Sequence, residues 1–202
     1  MCGIVGIYLK TKKFEKNLGK MLSGMLNNME SRGPDSAGFA IYNNEDKINF
    51  KYSLCINDLD FNKFKKEISK KIKKSELKQH SNHVVLKTPM KPKNVMEIIR
   101  INFPEISLVG YGHSIEIFKQ VGNPKDVVKK FKLDSFSGTH GIGHTRMATE
   151  SAITTDGSHP YSTGEDECLV HNGSLSNHNN LRRELIKKGN IFNSENDTEV
   201  AA

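Results

Sequence analysis

Cys2 stands at the start of a 202-residue chain, followed by Gly3-Ile4-Val5-Gly6-Ile7. If Met1 is removed, as a small second residue permits, Cys2 carries both a thiol and a free α-amine whose ordinary pKa is about 7.7–8.0. Nucleophile and general base then belong to one residue. A cysteine beside a start methionine can equally be just a small apolar side chain. The apolar Ile4, Val5 and Ile7 read as a buried strand, which would hold the terminus against a rigid core.

Polar and ionisable residues thicken again from His140. Gly141 to Ser151 contains His144, Arg146, Thr149 and Glu150, and His159-Pro160 and His171-Asn172-Gly173 follow. Cys168-Leu169-Val170-His171 reads as a strand that delivers Asn172-Gly173 at its end, where a glycine can expose a backbone amide. Two other chemistries could use these residues. His140 and His144 have the spacing of a metal pair, but that spacing serves a helix, and the glycines and β-branched neighbours here favour a strand. A cysteine–histidine hydrolase built on Cys168 with His159 or His171 meets the objection that Leu169-Val170 makes Cys168 a buried strand thiol. Arg32 and Asp35 either pair to hold a turn or border a site.

These residues need elements to place them. Leu18, Met21, Leu22, Met25, Leu26 and Met29 recur at helical spacing, predicting a helix over 16–30 that stops at Gly33-Pro34 before a strand at Phe39-Ala40-Ile41-Tyr42. A strand over 47–56 and a helix on Phe61, Phe64, Ile68 and Ile72 follow. Beyond them come a strand over 83–87, a helix on Val95, Ile98 and Ile99, strands over 106–111 and 114–119, and a short helix on Val127, Val128 and Phe131. Residues 43–135 carry no motif and read as elaboration. Ser176 or Asn177 caps a helix with Leu181, Leu185 and Ile186 inward and Arg182, Arg183, Lys187 and Lys188 outward; Asn196-Asp197-Thr198-Glu199 starts another. With no internal repeat or low-complexity linker, the chain is read as one domain over 2–202.

Composition narrows the class. The net charge of +7 invites a nucleic-acid reading, but lysines dominate, only five arginines occur, and no aromatic residues interleave with a basic groove. Nucleic acid is therefore not an expected partner. Cys2, Cys55 and Cys168 are too few and too scattered for a disulfide scaffold or a cysteine zinc site. The apolar N-terminal run lacks the basic flank and length of a signal peptide, and no stretch has the length of a membrane span. A soluble, cytoplasmic protein without membrane association is expected.

Taken together, Met1-Cys2-Gly3-Ile4-Val5-Gly6, Arg32-Gly33-Pro34-Asp35-Ser36-Ala37-Gly38, His144-Thr145-Arg146, His159-Pro160, His171-Asn172-Gly173 and Asn196-Asp197-Thr198-Glu199 resemble, in order, the motifs of the glutaminase domain of class II glutamine amidotransferases. Thr145 to Ser151 and Leu169 to Arg183 look most like the amidotransferase subunits of archaeal-type glutamate synthase and N-methylglutamate synthase. The resemblance implies an α+β N-terminal-nucleophile hydrolase fold, an αββα sandwich of two antiparallel sheets between helical layers. Residues 43–135 match it poorly. The chain stops at Val200-Ala201-Ala202 as a helix begins, so the domain is expected to lack its C-terminal part.

The resemblance further implies that Cys2 attacks the side-chain amide of L-glutamine, with Asn172 and Gly173 as oxyanion hole, to give L-glutamate and ammonia through a thioester. Arg146 would pair the substrate carboxylate and Asp197 its ammonium, with Thr149 supporting the carboxylate and His159 organising the pocket wall. Met147 and Glu150 stand where hexosamine-forming relatives have tryptophan and histidine. Ammonia would pass to a synthase subunit in a hetero-oligomer. Neither cofactor nor metal is expected in this chain, for it has no nucleotide-binding or phosphate-loop glycine pattern; flavin and iron–sulfur clusters would belong to the partner. Two alternatives stay open at this stage: another amidase with an N-terminal nucleophile, and a catalytically silent glutamine-binding or assembly subunit.

Overall fold

The computed structural model describes residues 2–148 and 151–202. Strand β1 (Gly3–Tyr8) leads through a 3₁₀ turn at Lys12–Asn17 into helix α1 (Leu18–Asn28), and β2 (Ser36–Tyr42) follows the Arg32–Asp35 turn. Next come β3 (Phe50–Cys55), α2 (Phe61–Lys71), β4 (Glu76–His80), β5 (His83–Thr88), α3 (Pro92–Asn102), β6 (Ser107–Gly112), β7 (Ile115–Val121) and α4 (Pro124–Phe131). The last third holds β8 (His140–Arg146), β9 (Tyr161–Gly164), β10 (Glu167–Leu169), α5 (His178–Lys187) and α6 (Asp197–Ala201). Local chemistry sets several boundaries. Asp60 caps α2 by accepting from the Lys63 N–H, Asn123 caps α4 by accepting from the Lys125 N–H, and Pro92 and Pro124 open α3 and α4, where a missing N–H costs nothing.

The strands form two four-stranded antiparallel sheets, in the orders β1-β8-β2-β7 and β4-β5-β3-β6, and a separate β9–β10 hairpin. Alternation along β2 explains the layering. Phe39 and Ile41 point into a cluster with Leu18, Leu22 and Leu26 of α1 and Val127, Val128 and Phe131 of α4, while Ala40 meets Ile115, Ile117, Val109 and Cys55. Likewise Tyr52 and Leu54 of β3 pack on Phe64 and Ile68 of α2 and Val95 and Ile99 of α3, and Ser53 and Cys55 turn toward the first sheet. Each fully buried leucine of α1 contributes roughly 1.5–3 kcal/mol. The arrangement is α+β and compatible with the expected sandwich.

Three expectations change. Strands β4 and β9 are additions to the predicted elements, and the strand expected over Cys168–His171 is β10, which runs from Glu167 and ends at Leu169. β7 and α4 lie within 43–135, yet they supply the edge of the first sheet and part of its core, so that segment is not all elaboration. On α5, Leu181 and Ile186 are exposed, Leu185 is half-buried and no residue is buried, so the expected inward face is only partly covered. Arg182 instead turns inward, donating to the carbonyls of Ser194 and Asn196 beneath the ring of Phe192.

Candidate active site

The register of the first sheet brings the two richest stretches of the sequence together. β1 pairs with β8 so that Gly3 lies opposite Thr145, which puts Cys2 beside Arg146 at the same end of neighbouring strands. The turn before β2 supports that end from behind. Asp35 accepts from the Ala148 N–H at 2.7 Å and its own N–H donates to the Arg146 carbonyl, while a Cβ on Gly33 would lie 2.4 Å from the Thr145 carbonyl carbon. Only glycine permits this approach. Arg32 makes no ion pair with Asp35; its Nε donates to the Cys2 carbonyl at 3.5 Å.

Cys2 is half-buried, and its Sγ lies 3.8 Å from the Met147 carbonyl. It borders a cavity of about 120 Å³ whose wall also carries Arg146, His159, Gly173, Asp197 and Thr198. A larger cavity of about 440 Å³, reached by Lys119, Tyr161 and Glu199, contains none of the predicted site residues. Five of the seven predicted residues thus share the cavity. Asn172 adjoins it: its Nδ2 donates to the Cys2 carbonyl at 3.0 Å. Thr149 lies outside the described residues.

The charged pair is held firmly. Arg146 is buried, with Nη1 donating to the Ala152 carbonyl at 3.1 Å and Nη2 to the Ser151 carbonyl and hydroxyl at 3.3 and 2.5 Å. Asp197 opens α6, and its Oδ2 accepts from the Leu175 N–H at 2.7 Å, which ties it to the connection that follows Asn172-Gly173. Asn196 caps α6 by accepting from the Thr198 N–H and donates to the Gly157 carbonyl, both at 2.9 Å.

His159 is buried in the cavity wall, preceding a cis proline and stacked on His144 with ring centroids 4.0 Å apart. Its Nε2 lies 3.0 Å from Thr198 Oγ1. Burial, with the nearby His144, Lys119 and Arg146, pushes the His159 pKa down to about 2, and burial lowers that of His144 to about 4. Both rings are neutral. Lys119 of β7 sets the approach to His159: its Nζ donates to the carbonyls of Asp156 and Ser158 and sits 4.3 Å from the Tyr161 ring centre. Burial lowers its pKa to about 8.

The rival chemistries do not assemble. Cys168 pairs with the Tyr42 hydroxyl at 3.5 Å, burial pushes its pKa up, and the His171 ring turns to Thr198 instead. His140 stacks on Tyr42, apart from the His144–His159 stack, and no group of three or more metal-ligating side chains occurs among the described residues. No helix of the described residues is long and apolar enough to cross a membrane. Sequence reasoning did not single out Thr198, which meets His159 as well as its neighbour Asp197, Ser151, which accepts from Arg146, or Lys119, which holds the Ser158 carbonyl just before His159.

Comparisons with known proteins give the family. The model of the glutamine amidotransferase domain matches residues 134–202. The chain is 49% identical over 205 residues to the glutamine amidotransferase-like protein GlxB of Rhizobium meliloti, covering 100% of this chain and 68% of that protein. It is 33% identical over 216 residues to a putative glutamine amidotransferase of Methanothermobacter thermautotrophicus, covering 98% and 70%. A shorter match, 44% over 88 residues, joins 43% of this chain to 15% of the glutamine–fructose-6-phosphate aminotransferase of Methanococcus maripaludis. By these likenesses the chain belongs to the class II glutamine amidotransferases and is an enzyme of that family.

Proposed function

We propose that this chain hydrolyses L-glutamine to L-glutamate and ammonia through a thioester on Cys2 and delivers the ammonia to a synthase subunit of the glutamate-synthase type. The observation that carries the reading is the sharing of one small cavity by Cys2, Arg146 and Asp197. A cation and an anion beside a nucleophile suit a zwitterionic amino acid whose side-chain carbonyl must reach the thiol.

With Met1 removed, the α-amine of Cys2 accepts the thiol proton as Sγ attacks the amide carbon. The oxyanion that forms receives the Gly173 N–H and the second hydrogen of the Asn172 amide, whose first is held on the Cys2 carbonyl. Collapse breaks the C–N bond, and the protonated α-amine returns its proton to the departing ammonia. Water then adds to the thioester and releases glutamate and the free thiol. Arg146 holds the substrate carboxylate, with Thr149 supporting it, Asp197 holds the ammonium, and His159 fixes the wall. Flavin and iron–sulfur chemistry belongs to the partner. The likeness of Thr145 to Ser151 and Leu169 to Arg183 to glutamate-synthase-type subunits supports that choice of partner.

The test combines an ammonia-release assay with peptide mapping after reaction with an electrophilic glutamine analogue. Label on Cys2, and no ammonia from Cys2→Ala, are expected. Label on Cys168, or full activity in Cys2→Ala, would overturn the mechanism. For the partner, glutamine should replace ammonia in glutamate formation by a flavin and iron–sulfur synthase subunit only when this chain is added.

A further inference from the structure

Thr198 is 1% exposed, and its hydroxyl faces three polar atoms from three segments of the chain. His159 Nε2 lies at 3.0 Å, His171 Nδ1 at 3.2 Å, and Asp197 Oδ1 accepts from it at 3.3 Å. A hydroxyl has one hydrogen and two lone pairs, so all three contacts are satisfied together in only one way: both rings donate to Thr198 and Thr198 donates to Asp197. His159 then carries its proton on Nε2 and His171 on Nδ1. His144 fits the same pattern, since its Nε2 meets the His171 carbonyl at 2.9 Å and must donate. The buried Nδ1 atoms of His144 and His159 have no hydrogen-bond partner, as bare lone pairs can tolerate better than N–H groups.

These contacts close a ring. The His171 side chain reaches Thr198, Thr198 reaches His159, His159 stacks on His144, and His144 returns to the His171 backbone. His171 is thereby fixed at both side chain and carbonyl, immediately before Asn172-Gly173. Its Nε2 lies 2.7 Å from where a Cβ on Gly173 would stand, so the ring packs directly over the glycine and leaves no room for a side chain there.

We infer that Thr198 is a positioning residue whose hydroxyl couples the Asn172-Gly173 loop to the Asp197 carboxylate, so that oxyanion hole and ammonium site are set by one hydrogen-bond hub. The inference rests on the glutaminase reading above. Removal of the hydroxyl frees His171 and takes one partner from Asp197, so both turnover and binding change.

The experiment uses the full chain with Thr198→Val, which keeps the branched shape without the hydroxyl, and Thr198→Ser, which restores it. Thr198→Val lowers kcat for ammonia release roughly 10–100-fold, as small misplacements of reacting groups do, and raises KM. Thr198→Ser stays within about threefold of the unsubstituted protein, and iodoacetamide alkylates Cys2 at the same rate in all three, because thiol access does not depend on the hub. Unchanged kcat/KM in Thr198→Val, or a Thr198→Ser variant as impaired as the valine one, would overturn the hub. Nitrogen NMR of the unsubstituted protein gives a second decision that does not depend on either variant folding: Nδ1–H on His171 and Nε2–H on His159 support it, and the opposite tautomers overturn it. Absence of ammonia release from the unsubstituted protein, with these tautomers present, would instead overturn the glutaminase reading and leave the hub standing.

Discussion

The side-chain amide of Asn172 donates to the backbone carbonyl of Cys2 at 3.0 Å, joining residues 170 positions apart. With Arg32 Nε as the carbonyl's other donor, the residue that bears the nucleophile is held from both sides. The same amide keeps a second hydrogen, so under the proposed mechanism Asn172 both places Cys2 and meets the oxyanion.

Asn172→Ala therefore lowers kcat for glutamine hydrolysis by about 10²–10³-fold, the effect of removing one oxyanion donor. Asn172 is exposed, so its stability cost stays within about 0.5 kcal/mol. Steady-state kinetics and urea unfolding measure the two effects separately. A fall in unfolding midpoint large enough to explain the lost activity would reduce Asn172 to a scaffold role.

Arg146 already spends donors on Ser151 and Ala152, which aligns the guanidinium before substrate arrives. Arg146→Lys keeps the charge but loses the planar fork that meets a carboxylate with two bonds. A charge-assisted hydrogen bond contributes about 1.5–3 kcal/mol, so L-glutamate binding, measured by calorimetry, weakens by roughly 10–150-fold. Equal binding in the two proteins would remove Arg146 from the carboxylate site.

What could be read before the fold was known depended on how local each signal was. Helices α1 to α4 were legible because Leu18, Leu22, Leu26, Phe64, Ile68, Val95, Ile99, Val127 and Phe131 repeat at the helical period and do face the cores. β4 was not, because Glu-Leu-Lys-Gln-His is polar and its order comes from pairing with β5. The α5 pattern misled, since periodicity gives a face but not a neighbour to cover it. At the site, Cys2 stood out as a residue type suited to a chemistry, whereas Arg146, Gly173 and Asp197 were singled out through the resemblance of their motifs; the fold brings all four to one cavity. Thr198 and Lys119 were not legible, for the threonine acquires its role only when the distant His159 and His171 segments converge on it, and the lysine only when the 156–161 segment folds over it.

Gly38 in β2 gives a contrast with Gly24 in α1. A Cβ on Gly38 would lie 2.1 Å from the His159 carbonyl oxygen and 2.7 Å from that of Phe118, both backbone atoms with little freedom to yield. Gly38→Ala is thus expected to destabilise by about 3 kcal/mol and to displace His159. At Gly24 nothing lies within 4 Å, so Gly24→Ala gains about 1 kcal/mol of helix propensity. Urea unfolding of both variants should move in opposite directions. A stabilised Gly38→Ala would show that β2 does not press against the His159 segment.

Stability should fall as pH drops below 6.5, before most carboxylates protonate. Burial lowers the pKa of His83 to about 3, with Lys119 and Lys130 adding to it, of His144 to about 4 and of His159 to about 2. The unfolded chain protonates these rings near pH 6.5 while the folded one resists, so the unfolded state binds more protons and is favoured on acidification. Well below pH 6.5 and above the folded pKa, each such histidine contributes a slope of about 1.4 kcal/mol per pH unit. His113 opposes this: burial lowers its pKa, but the carbonyls of Asp46 and Asn49 and the Glu165 carboxylate raise it further, so its contribution grows as pH falls through its folded value. Asp46 and Asp166, held low, lose their contribution only from about pH 4 downward. Urea midpoints at pH 7, 6 and 5 should therefore decline. His83→Phe, which keeps the ring among Phe118 and Phe131, should make the decline shallower by about 1.4 kcal/mol per unit. An unchanged slope in that variant would mean that His83 is protonated within the fold.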